Sequence, residues 1–164
     1  PCCSGWHCPV DAKRSKGKDM NRQILAACAL VSCATVAVAH TGVKNQAVQA
    51  RMHGMTMISN NVKVLGTMAK GQAAFDAATA QQAAQAIADH AAESVGLFTP
   101  KETDPKSEAL PVIWENFDDF ATKAKELQTV AADLAANVAS LDDVRAAMPS
   151  LGATCKTCHS KYRE

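Results

Sequence analysis

Cys155, Cys158 and His159 stand as C-x-x-C-H within a sequence of 164 residues. On a helix, cysteines three residues apart share a face, and a histidine four residues after the first lies one turn along it. That arrangement offers two thiols to the vinyl groups of a porphyrin and an imidazole to its iron, the attachment pattern of c-type haem. Two other chemistries use similar spacing. A thioredoxin-like dithiol belongs at a strand-to-helix junction in a βαβ unit, and no segment here alternates like a strand. A zinc site needs a second ligand pair, which the last part of the chain lacks.

Upstream, Met20-Asn21-Arg22-Gln23 precedes an apolar run from Ile24 to Ala39 that ends Ala37-Val38-Ala39. A short positive leader, an apolar centre and a small-residue ending have the form of a secretory signal peptide cut before His40. The run falls short of the roughly 20 residues of a bilayer span, so no stable membrane anchor is expected. Leu30-Val31-Ser32-Cys33 resembles a lipobox, but the apolar residues after Cys33 argue against a lipoprotein. Residues 1–19 carry Cys2, Cys3, His7 and Cys8, which could be read as a small metal site; a signal peptide must be N-terminal to work, so they are expected to be non-native upstream sequence.

Setting residues 1–39 aside leaves a haem domain over 40–164, 125 residues long, enough for one core. Five of the seven cysteines go with the removed segment, so those left in an oxidising compartment are Cys155 and Cys158, both in the haem motif. The 17 basic residues lose 5 and the 16 acidic lose 2, a net charge of −2 that points to neither nucleic acid nor an anionic membrane as partner.

The rest of the chain is alanine-rich, poor in aromatics and helical in its apolar spacing, so the fold class is all-α. A first helix carries Val48, Arg51, Met55, Ile58, Val62, Leu65 and Ala69 along one seam and stops at Gly71. A second begins after an Asp76 N-cap and ends at Gly96. A polar connection from Thr99 to Pro111 follows, with Pro111 and Trp114 in a lead-in turn. The third helix runs from Phe117 through Phe120, Ala124, Leu127, Ala131 and Leu134 to Val138. The fourth opens at Ser140, with Asp143 completing a loose capping box, and carries Val144, Met148, Leu151, Cys155, Cys158 and Tyr162 inward. Pro149 should kink or loosen it.

Four such helices pack most simply as an antiparallel up-down-up-down bundle. Cys155 to His159 would then face Val48 to Met55, with the haem wedged between them. Arg51 occupies a seam position where a buried guanidinium requires a partner, such as a haem propionate, unless it reaches to solvent. Met55, one turn on, is placed either to ligate the iron opposite His159 or to fill the pocket as a core methionine. Met52, Met57 and Met68 lie off the seam or farther along it, and His53 and His90 are expected to be solvated.

With these residues in place the chain resembles the cytochrome c′ family, including its low-spin, methionine-ligated relatives. The resemblance runs through Arg51 to Met55, Val64-Leu65-Gly66, Lys70-Gly71, Phe75-Asp76-Ala77-Ala78, Pro111-Val112-Ile113-Trp114, and Gly152 through Tyr162-Arg163. It implies a periplasmic four-helix bundle, frequently a homodimer, carrying one covalent haem c on Cys155 and Cys158 with His159 as proximal iron ligand. It also implies that Arg163 is the basic residue beside the proximal face, that Arg51 is the propionate-side arginine, and that Met55 sits at the methionine-ligand position. Two functions follow. Iron ligated by Met55 suits single-electron transfer between periplasmic redox partner proteins, the favoured reading; iron left five-coordinate would bind small gases such as nitric oxide. A helical bundle without haem would leave Arg51 and the core-facing cysteines unexplained. No acid/base pair, nucleophile constellation or phosphate loop is present, so no enzyme is expected.

Overall fold

The computed structural model describes residues 42–164, so the expected upstream segment, 1–19, and the expected signal peptide, 20–39, fall outside the described residues. Among the described residues five helices account for the regular structure: α1 (Gln46–Ala69), α2 (Ala77–Leu97), the single-turn α3 (Val112–Glu115), α4 (Phe117–Asn137) and α5 (Leu141–Tyr162). The four long ones form the antiparallel bundle, α1 on α2, α2 on α4, α4 on α5, and α5 closing the ring against α1. α3 is the lead-in turn expected around Pro111 and Trp114.

Local chemistry sets the boundaries. Asp76 caps α2 by accepting from the Thr79 backbone N–H at 2.7 Å. Ser140 and Asp143 form the full reciprocal capping box on α5, each side chain accepting from the other's backbone N–H. Gly71, at φ +70, takes the left-handed turn that ends α1. Gly96 does not end α2, contrary to expectation. The helix continues to Leu97 and is capped by Phe98, which bonds back to Ser94 and is drawn inward by its own burial. α5 passes through Pro149, which lacks a backbone donor, as one continuous helix to Tyr162.

The interior has two parts. At the end holding the α1–α2 and α4–α5 connections, Leu65, Ile87, Val144 and Leu151 are fully buried among Ala80, Ala84 and Ala131. At the other end Phe98, Ile113, Phe120 and Tyr162 form an aromatic cluster, against which Met55, Trp114 and Cys158 pack. No described helix is long and apolar enough to cross a membrane.

Candidate haem site

A cavity of about 550 Å3 opens beside the aromatic cluster, within the range that holds cofactor-sized ligands. α1 contributes Val48, Arg51, Met52 and Met55 to its wall, and α5 contributes Cys155, Cys158, His159 and Tyr162, followed by its C-cap residue Arg163. Segment 106–109 and the rings of Phe98 and Phe120 complete it. The antiparallel packing of α1 on α5 is what brings the chain's two most separated helices to one pocket.

Both thiols are half-buried and unbridged, and burial pushes their pKa values up, so each is held as S–H. The His159 imidazole has its pKa lowered, first by burial and then by the Arg163 charge, against an opposing pull from Glu108. It therefore stays neutral near pH 7, the form able to bind a metal. Among the described residues no cluster of three His, Cys, Asp or Glu could hold a metal ion unaided. Two thiols and an imidazole on one wall of this cavity fit a porphyrin, the thiols placed for its vinyl groups and the imidazole for its iron.

Arg51 departs from one of the two readings of the sequence. It is 3% exposed, so it does not reach to solvent. Within the chain its partners are main-chain carbonyls: Nε donates to that of Leu97 at 2.9 Å and Nη1 to that of Glu102 at 2.7 Å, while Nη2 donates to that of Pro100. Its Cζ lies 4.7 Å from the Phe98 ring centroid and 5.2 Å from that of Trp114. Three main-chain carbonyls and two ring faces thus hold the guanidinium within the chain itself. Burial lowers its pKa, partly offset by Glu102.

Met55 lines the cavity and touches both parts of the core. Met52 also lines the cavity, although the seam placed it outside; the pocket is wider than a single helix stripe. Met68 is core, His53 is exposed and His90 pairs with Glu93 at 2.9 Å, so none of these reaches the cavity. Arg163 is at the cavity rim with its Nε on Glu108 at 2.6 Å. Sequence periodicity missed the Glu108 pairing, and it missed the Tyr162 hydroxyl, which donates to Asp119 at 2.5 Å. A tyrosine at a buried seam position was the available signal, because its hydroxyl must find a partner.

Bundle and cavity together define a c-type haem protein. The family model for cytochrome C′ matches residues 46–163, and the chain belongs to that family. It is 39% identical over 117 residues to a cytochrome c-556 of Agrobacterium fabrum, covering 71% of this chain and 80% of that protein. The cytochrome c′ structure from Rhodopseudomonas palustris superposes with a TM-score of 0.68 at 27% identity, covering 74% of this chain and 98% of that one. A nitric oxide complex of a mutant cytochrome c prime from Alcaligenes xylosoxidans aligns at 30% identity and a TM-score of 0.64, covering 72% and 94%. As in its family, the cofactor is covalently attached haem c with its iron.

Proposed function

We propose that this protein is a periplasmic single-electron carrier rather than an enzyme, with Cys155 and Cys158 as thioether anchors, His159 as proximal iron ligand and Met55 as the ligand opposite. Haem c supplies a one-electron iron couple when bound. The observation that carries the reading is the convergence of Met55 from α1 and His159 from α5 on one cavity. The protein's own contribution is to hold the imidazole neutral, to keep both thiols protonated until they are linked, and to surround the site with apolar and aromatic side chains. Low polarity around the site and a thioether ligand both favour the reduced form of an iron centre. Its partners are periplasmic proteins that donate or accept single electrons.

A second reading is favoured by one specific finding, the nitric oxide complex of a relative that shares this fold. If Met55 only crowds the pocket, a small gas takes the open position. The optical spectrum of the reduced protein, with and without carbon monoxide, separates the two. Electron transfer predicts sharp low-spin bands that Met55→Ala abolishes; a high-spin spectrum unchanged by Met55→Ala assigns the protein to gas binding.

A further inference from the structure

Residues 98–111 form a strap from the end of α2 to α3, and it is fastened to both walls of the haem cavity. At the α1 side, the Asp104 carboxylate accepts from the backbone N–H groups of Lys44 at 2.9 Å and Asn45 at 3.2 Å, just ahead of the helix. One turn into the helix Arg51 grips the carbonyls of Leu97, Pro100 and Glu102. At the α5 side, Ala109 bridges to Arg163, the Leu110 N–H donates to the Tyr162 carbonyl at 3.0 Å, and the Glu164 N–H donates to that of Glu108 at 3.0 Å. Of the two side-chain fastenings at the α1 side Arg51 is the buried one, and it lies on the same helix face as Met55, four residues on.

We propose that Arg51 is a positioning residue: by holding the Leu97 carbonyl at the end of α2 and the Pro100 and Glu102 carbonyls of the strap, with its guanidinium against the Phe98 and Trp114 rings, it fixes the turn of α1 that carries Met55 and so keeps that side of the haem cavity closed to incoming ligands. A guanidinium is the group suited to this task. Its rigid planar fork reaches three carbonyls in different directions while its faces stack on rings, whereas a lysine has a single nitrogen to place. Because these partners are main-chain carbonyls, the path of the chain after α2 sets where the cation sits, and Met55, four residues along α1, shares an anchor made to groups 46 to 51 residues from Arg51. This inference uses the haem site proposed above, but it holds whether Met55 ligates the iron or only blocks it.

The test is the rate of carbon monoxide binding to the reduced, haem-loaded protein, measured for Arg51→Lys, Met55→Ala and the double variant. Loss of one or two charge-assisted hydrogen bonds should raise the Arg51→Lys rate about tenfold. In the Met55→Ala background the same change should have less than about a twofold effect, because the side chain being positioned is gone. A merely structural role would act equally in both backgrounds. An Arg51→Lys rate within about twofold of the parent overturns the inference, as does an equal effect in both backgrounds. If Arg51→Lys does not fold, Trp114→Phe decides. It keeps a ring under the guanidinium but deletes the 2.7 Å bond from Nε1 to the Phe98 carbonyl, and it should shift the rate in the same direction; an unchanged rate overturns the proposal. The spectrum of Met55→Ala separately reports ligation. A changed spectrum with an unmoved Arg51→Lys rate sinks the positioning role alone; an unchanged spectrum with a raised Arg51→Lys rate sinks methionine ligation alone.

Discussion

The two ends of the bundle solve the packing problem differently. Around Leu65, Ile87 and Leu151, small alanines let the helices approach closely and aliphatic side chains fill what remains. Around Phe98, Phe120 and Tyr162, larger rings are stacked, with Phe98 and Phe120 centroids 4.8 Å apart and Phe120 edge-on to Tyr162 at 5.6 Å, yet a cavity persists between α1 and α5. Short connections tie off the first end, whereas the second depends on a strap hydrogen-bonded to both cavity walls. The first end is complete as polypeptide. The second is a frame built around something the chain does not itself provide.

The comparison breaks most directly when the haem is withheld. Replacing Cys155 and Cys158 with alanine should abolish covalent haem, read as haem staining of the denatured protein. Hydrogen exchange on that variant should show lost protection in α1 up to Met55 and in α5 from Cys155 onward, while the Leu65, Val144 and Leu151 turns stay protected. Uniform loss along all four helices would mean that the ends are not separable.

Core truncations sharpen the same contrast at smaller scale. Leu65→Ala, at a site with no exposure, should cost about 2–5 kcal/mol in denaturant unfolding whether or not haem is attached. Phe120→Ala should cost about 3–5 kcal/mol in the haem-loaded protein and clearly less in the cysteine-free variant, where its neighbours are already loosened.

The smallest expected effect is one of pH. Asp143 at the aliphatic end and Asp119 and Asp104 at the cavity end all have pKa values held below the ordinary carboxylate value. Asp143 is lowered chiefly by the Ser140 hydroxyl, Asp119 by the Tyr162 hydroxyl and Asp104 by the Lys106 backbone N–H. A depressed folded pKa contributes stability that is present above the unfolded value, about 3.9, and disappears as pH falls through the folded value. The melting temperature should therefore fall below about pH 4. Asp143→Asn and Asp119→Asn should each flatten that fall; a variant with the parent's acid profile would show that its carboxylate contributes nothing.

Much of this was legible in the residues because it is local. Helical spacing, the Asp76 and Ser140 caps and the Gly71 stop depend on neighbours within a few positions, and the structure has each where the pattern put it. The up-down-up-down arrangement followed from helix count and connection length, and it placed the Cys155 segment opposite Met55. What escaped was long-range and polar. Nothing in a seam pattern says that Arg51 will be answered by carbonyls of Leu97, Pro100 and Glu102, because every residue has a carbonyl and only the folded path of the loop selects these. Gly96 misled for a related reason: its turn signal was weaker than the burial of Phe98 two residues later.

The pairing of α1 with α5 also orders events in time. The cavity's two main walls lie at opposite ends of the described chain, so joining them closes a loop that runs from Met55 to Cys155. Such closure is cheap at equilibrium, each doubling of loop length costing about 0.6 kcal/mol, but contacts of long sequence separation form slowly. The short α4–α5 connection lets α5 pair locally with α4, so its contact with α1, which closes the cavity, is the one that must wait for the far end of the chain.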